Sequence, residues 1–290
     1  MSVLLKSLPA LERVSPSLAT EFVWRAWGTP RKPRSVPAVA APVMELARRS
    51  RETLGGHTIA LYRWGYGPRT ILLVHGWEGR ASDFAPIVRE LRSRERTIIA
   101  LDAPGHGNSS GRRTNFIQYG AVLAELAARY GRFEAVVSHS LGTPSVAAAA
   151  VHGLAADRFV SISGVADLAN LVPKYCEILG LGASTMARVR TRIEDRYFDG
   201  DRGVWHEYSA ANHPLPAPSP LLIIHDRSDR MVGFADAAEL ADAHGPDTRT
   251  LATDGLGHYK ILSADVVLDE ILEFLDTRVQ QVRSREPLLV

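Results

Sequence analysis

The sequence is short of cysteine, of long apolar runs and of net charge, and each shortage removes a class of protein. Cys176 is the one cysteine among 290 residues, so no internal disulfide framework can form and a small stapled scaffold is excluded. No stretch approaches the ~18–20 consecutive apolar residues of a membrane-spanning helix. The apolar positions between Val3 and Leu11 are interrupted by Lys6, Ser7 and Pro9 with no small-residue cleavage site after them. A signal peptide is therefore not expected, and the cytoplasm is the default compartment. Paired ligand spacings such as H-E-x-x-H are also missing, so neither a metal nor a cofactor is expected. Disorder is excluded from the other side: 46% hydrophobic residues with a formal charge of only +2 can build a sizeable core.

That small charge is unevenly spread. Residues 1–51 carry nine basic and three acidic side chains, a net +6, and the remainder carries −4. Pro33 interrupts the run Arg31, Lys32 and Arg34, so a solvated connecting segment is favoured over a nucleic-acid contact. Leu18, Phe22, Val23 and Trp27 form an apolar helical stripe in the same segment. Packing against the rest of the chain is the favoured reading. Docking on a membrane surface beside Arg25, Arg31, Lys32 and Arg34, and dimerisation, stay open.

From about residue 57 onward short apolar runs alternate with amphipathic segments, the pattern of a mainly parallel sheet covered by helices in an α/β fold. Strands are expected at 59–64, 70–75, 97–102, 135–138, 159–163, 221–225 and 248–252, and helices at 82–94, 116–130 and from 263 onward. Length permits one large α/β domain or two smaller ones and does not choose between them. The rhythm breaks between Asp167 and Ser219, where ~50 residues replace a connection of a few residues. Helices at 170–181 and 185–197 and a proline-rich exit at 213–220 fit a lid over the C-terminal edge of the sheet. The tail after about Val282 is expected to fray.

The strongest local signal is Ala135-Val-Val-Ser-His-Ser-Leu-Gly-Thr143, an apolar strand running into a small-residue turn and an Ala-rich helix. A nucleophile on such a sharp turn needs small neighbours two residues away on each side, here Ser138 and Gly142. Ser140 would then stand at a helix N-terminus, where developing negative charge is favoured. A serine needs a base, and the base needs an orienting acid. His258 follows the last expected strand in Asp254-Gly-Leu-Gly-His258, and Asp229 follows the preceding strand, giving Ser, Asp and His in that order with gaps of 89 and 29 residues. Asp226 and Asp167 remain alternatives for the acid. An oxyanion would need two N–H donors. The backbone of Leu141 is one candidate, and that of Trp77, in His75-Gly-Trp-Glu78, is the other. His75, Gly76 and His139 are assigned to the surroundings of the substrate pocket, and His106 to a loop nearby.

Together, His75-Gly76-Trp77, Asp102-Ala-Pro-Gly-His-Gly107, Ser138-His-Ser-Leu-Gly142, Asp229 and Gly257-His258 resemble the α/β-hydrolase superfamily over roughly residues 57–280. The resemblance implies a mainly parallel eight-stranded sheet flanked by helices, with a helical cap inserted after strand six. In that frame residues 52–167 and 220–290 form the core domain, 168–219 the cap, and 1–51 a basic helical extension. It implies Ser140, Asp229 and His258 as a triad and one backbone donor from the loop of the single Gly76. The variants that place an aspartate at the elbow, the haloalkane dehalogenases and epoxide hydrolases, do not fit Ser140. Hydrolysis of a small-molecule carboxylic ester through an acyl-enzyme is the expected activity, in a monomer or homodimer. Thioester, lactone, acyl-transfer, carbon–carbon and perhydrolysis chemistry, and a non-catalytic ligand-binding role, are the alternatives.

Overall fold

The computed structural model describes residues 7–31, 35–92, 95–213, 215, 219–276 and 288–289. Lys32 and Arg34 of the basic run, residues 93–94, part of the proline-rich exit and most of the tail after Val282 lie outside the described residues.

Eight strands form the sheet: β1 (Arg48–Leu54), β2 (His57–Trp64), β3 (Arg69–Val74), β4 (Arg96–Leu101), β5 (Phe133–His139), β6 (Ala156–Ile162), β7 (Leu221–Asp226) and β8 (Thr248–Thr253). The two-residue β9 (Leu288–Leu289) extends it at one edge. The order is β1-β2-β4-β3-β5-β6-β7-β8-β9; β2 pairs antiparallel with β1 and with β4, and every pairing from β4 to β9 is parallel. The expected mainly parallel α/β sheet is therefore present.

The near-continuous apolar runs follow from burial on both faces. Because side chains alternate along a strand, Ile71, Leu73, Val137, Ile162 and Ile224 face one layer, and Leu72, Val74, Val136, Phe159 and Ile223 face the other. Numbered along the chain, the helices are α1 (Leu8–Val14), α2 (Pro16–Ala26), α3 (Ala41–Glu45), α4 (Ala85–Leu91), α5 (Phe116–Tyr130), α6 (Gly142–Val151), α7 (Leu171–Ile178), α8 (Ala183–Tyr197), α9 (Val204–Glu207), α10 (Ala235–His244), α11 (Gly257–Lys260) and α12 (Asp265–Asp276). Met44 of α3, α4 and α12 cover the first face, and α5, α6 and α10 the second. No helix among the described residues is long and apolar enough to cross a membrane.

Two features differ from the sequence reading. Strand β1 lacks an apolar run because it is a mostly exposed edge strand, and it stands ahead of the first strand expected from the sequence, 59–64, so the sheet starts at Arg48. The apolar stripe of the N-terminal segment also divides. Val23 is fully buried in a third apolar cluster with Val172, Val189 and Ile193 of the β6–β7 insertion, and Trp27 packs against it, whereas Leu18 is 60% exposed. Edge-to-face contact of Trp27 with Tyr175 at 5.3 Å, and donation of the Tyr197 hydroxyl to the Trp27 carbonyl at 3.0 Å, fix this segment to the insertion.

Candidate active site

The chain reverses its direction of sheet growth at β3, which lies between β4 and β5. Loops leaving the C-terminal ends of β3 and β5 meet there, and such switch points leave a crevice where ligands bind. Ser140 occupies the turn between β5 and α6 with φ +53°, a left-handed conformation that costs an L-residue roughly 1–2 kcal/mol. Its N–H donates to the Ile162 carbonyl at 3.0 Å, and its own carbonyl accepts from Thr143 N–H at 3.0 Å, which hold the strained turn.

Two glycines let the backbones approach closely. A Cβ on Gly142 would lie 2.4 Å from the Val74 carbonyl oxygen, and one on Gly76 would lie 2.7 Å from Ser140 Cβ and 3.2 Å from its Oγ. Ser138, which stands where a glycine is usual, is accommodated by its hydroxyl. Its Oγ donates to the Val160 carbonyl at 3.2 Å and lies 3.0 Å from Thr143 Oγ1, itself 3.0 Å from Ser161 Oγ.

His258 stands in α11, beyond β8, and its Nδ1 donates to Asp229 Oδ2 at 2.7 Å. The other carboxylate oxygen of Asp229 accepts from Met231 N–H at 2.8 Å and Val232 N–H at 3.0 Å. Burial alone would raise the Asp229 carboxyl, but the bond to His258, its charge and the two backbone donors outweigh it and bring the pKa down to about 2. Asp229 is thus an acceptor only. The proton between the two groups belongs to Nδ1, and His258 keeps Nε2 for other work.

The alternative acids have other tasks. Asp226 accepts from Ser228 N–H, Thr253 Oγ1 and Leu256 N–H, tying the loop after β7 to the loop after β8. Asp167 caps the turn at 168–170 through Ala169 N–H and accepts from Ser209 Oγ. Neither bonds to His258.

Among the described residues no hydrogen bond engages the N–H of Leu141, which follows Ser140, or that of Trp77, which follows the Gly76 that approaches it. The histidines near them are braces. His75 accepts from Ala103 N–H through Nε2 at 2.9 Å and donates from Nδ1 to the Gly76 carbonyl at 2.7 Å. His106 accepts from Glu78 N–H at 3.0 Å and donates to the Pro104 carbonyl at 2.9 Å. His139 donates from Nε2 to the carbonyl of His258 at 2.9 Å, linking the elbow to the histidine loop. Burial drives all three rings below the ordinary histidine range, His139 to about 3, so they stay neutral. His75 and His139, expected around the substrate pocket, are buried and hold loops in place.

Cys176 of α7 is buried, and desolvation pushes its thiol up to about 11, the opposite of an activated nucleophile. Sequence reading missed the ion pair between Arg31 and Glu78, whose partners are 47 residues apart with no spacing to signal them.

The chain is similar to known proteins in sequence and in fold. Residues 71–271 match the sequence model of the Alpha/beta hydrolase family. A pimeloyl-[acyl-carrier protein] methyl ester esterase of Xylella fastidiosa is 46% identical over 43 residues, 15% of this chain and 16% of that enzyme. The chain thus matches about one sixth of that relative's length. An esterase of Pyrococcus furiosus superposes with a TM-score of 0.62 at 18% identity, covering 86% of this chain and 98% of that one. An epoxide hydrolase of Vigna radiata superposes with a TM-score of 0.57 at 13% identity, covering 80% and 98%. At these identities the superpositions establish the fold alone.

Proposed function

The chain belongs to the alpha/beta hydrolase family, and from that membership we propose that it is a serine hydrolase that cleaves a carboxylic ester through an acyl-enzyme. The reading rests on one observation above the others: the 2.7 Å bond that orients His258 on Asp229, beside a strained serine elbow. In this reading His258 Nε2 takes the Ser140 proton as Oγ attacks the ester carbonyl, and the Leu141 and Trp77 N–H groups hold the oxyanion. Collapse breaks the bond to the alcohol, which leaves with the proton from His258. Water then repeats the sequence in reverse and frees the acid.

Asp229 keeps the imidazole in the tautomer that this proton transfer needs. In this reading the insertion 168–219 acts as a cap, and its apolar packing around Leu141, Val165 and Val232 suits an uncharged acyl group. The methyl ester esterase that matches in sequence is consistent with ester chemistry; the epoxide hydrolase superposition shows why the fold alone does not decide it.

Incubation with a fluorophosphonate probe and a series of p-nitrophenyl esters tests the proposal. Ser140 should be labelled, and Ser140→Ala should reduce turnover to the background level. Absence of both labelling and ester turnover in the wild type would sink the hydrolase reading. Labelling without ester turnover would redirect it to thioester or acyl-transfer chemistry on the same serine.

A further inference from the structure

The loop that carries the Trp77 N–H is a tight turn, closed by donation of Gly79 N–H to the Gly76 carbonyl at 3.1 Å, with Glu78 at φ +57°. That position favours glycine or asparagine, so a glutamate persists there only if its surroundings over-determine it. They do so from two sides. His106 Nε2 accepts the Glu78 N–H at 3.0 Å, and Arg31 of the N-terminal segment takes both carboxylate oxygens.

Arg31 Nε donates to Oε1 at 2.7 Å and to Oε2 at 2.8 Å, Nη2 donates to Oε2, and the Arg31 backbone N–H donates to Oε1 at 3.1 Å. The Glu78 side chain is 16% exposed although that of Arg31 is 73% exposed, so the carboxylate is held inside and the guanidinium closes over it. Partial burial would raise the Glu78 carboxyl; Arg31 outweighs this and lowers it. The segment bearing Arg31 is anchored independently. Gly182 N–H donates to Glu12, Arg113 Nη2 to the Arg25 carbonyl at 2.7 Å, and Thr114 N–H to the Gly28 carbonyl at 2.8 Å.

We propose that Arg31 is a positioning residue for the Trp77 N–H, and that the N-terminal segment is therefore part of the active site, completing the oxyanion hole by clamping Glu78 from outside the hydrolase core. The inference rests on the reading of Trp77 as an oxyanion donor. An isolated exposed ion pair would matter little; this one sets the φ of the residue next to the donor.

The test compares Arg31→Gln, Arg31→Lys, Glu78→Gln and the double Arg31→Gln/Glu78→Gln in the full-length chain. With a short p-nitrophenyl ester, each glutamine variant should lose roughly tenfold in kcat with KM little changed, short of the 10²–10³-fold that losing a donor outright costs. Arg31→Lys, which keeps the charge without the planar fork, should recover part of the loss, and the double variant should be no worse than either single one. Unchanged kcat, or additive losses in the double variant, would overturn the clamp.

A second measurement does not depend on activity: amide hydrogen exchange of residues 75–80 should accelerate in Arg31→Gln while that of the β5 and β6 strands stays as in the wild type. Equal exchange at 75–80 in both proteins overturns the clamp. A wild type with no ester turnover and no serine labelling would instead end the hydrolase reading, leaving the exchange result to decide on the clamp.

Discussion

In the proposed triad, the orienting acid is where residue identity decides most. Three aspartates stand at or after strand ends near the site, and their partners separate them: Asp229 bonds to His258 and to two backbone N–H groups, Asp226 bonds to three donors at the ends of β7 and β8, and Asp167 caps a turn. Asp229→Asn keeps the size but presents the wrong hydrogen-bonding pattern to Nδ1. It should lower kcat by about 10³–10⁴-fold, whereas Asp226→Asn and Asp167→Asn should cost less than about tenfold and act mainly on stability. Steady-state kinetics on the three variants checks the ranking, and a larger loss at Asp226 would reassign the acid. That the candidate serine, histidine and aspartate lie on loops at one end of the sheet was legible in the sequence because each follows a recognisable strand. The neutral braces His75 and His139 were not, since ring-nitrogen partners such as Ala103 N–H and the His258 carbonyl come from chain segments 28 and 119 residues away.

Among the elements, the parallel strands could be read from their Val- and Ile-rich runs because they are buried on both faces, while β1, an arginine-rich edge strand, offered no such run. Its signal was the Gly55-Gly56 pair, both at positive φ, which joins it to β2 as a two-residue hairpin loop does. The helix α2 shows the limit of periodicity in another way. A stripe of four apolar residues does not tell which of them meets a partner, and here the insertion selects Val23 and Trp27 and leaves Leu18 outside. Val23→Ala should therefore cost about 2 kcal/mol, and Leu18→Ala less than about 0.5 kcal/mol. Chemical denaturation of both variants measures this, and equal costs would mean that the helix is not docked on the insertion in solution. At the elbow, Gly142→Ala sets a new Cβ 2.4 Å from the Val74 carbonyl oxygen. The helix α6 must then move away from β3, at a cost of about 1–3 kcal/mol, and the Leu141 N–H moves with it, so activity should fall further than stability does.

Across the whole molecule the two ends of the sheet are used differently. At the N-terminal ends of the strands lie the buried ion pairs of Arg96 with Glu134 and of Arg249 with Glu270, the first extended to the exposed Asp276; at the C-terminal ends lie Ser140, Asp229, His258 and the neutral rings of His75, His106 and His139. This second set fixes how stability responds to acid. A histidine whose folded pKa is lowered binds its proton more readily in the unfolded chain, where its pKa is ~6.5. Its contribution is complete above that value and is lost as pH falls toward the folded pKa, about 3 for His139. Asp229, lowered to about 2, contributes fully above the ordinary carboxyl value of ~3.9 and loses that contribution between there and about 2. Both shifts have the same sign, so the protein should be equally stable from about pH 7 to 8 and weaken continuously below ~6.5. The slope contributed by each ring can reach ~1.4 kcal/mol per pH unit. His139→Gln retains a side-chain N–H donor for the His258 carbonyl but cannot take up a proton, so it should flatten the loss between about pH 6 and pH 3 by nearly one proton's worth. Unfolding free energies across that range measure the effect; an unchanged slope would mean that His139 is already charged in the folded protein, and with it that the elbow and the histidine loop are not packed as closely as their 2.9 Å bond implies.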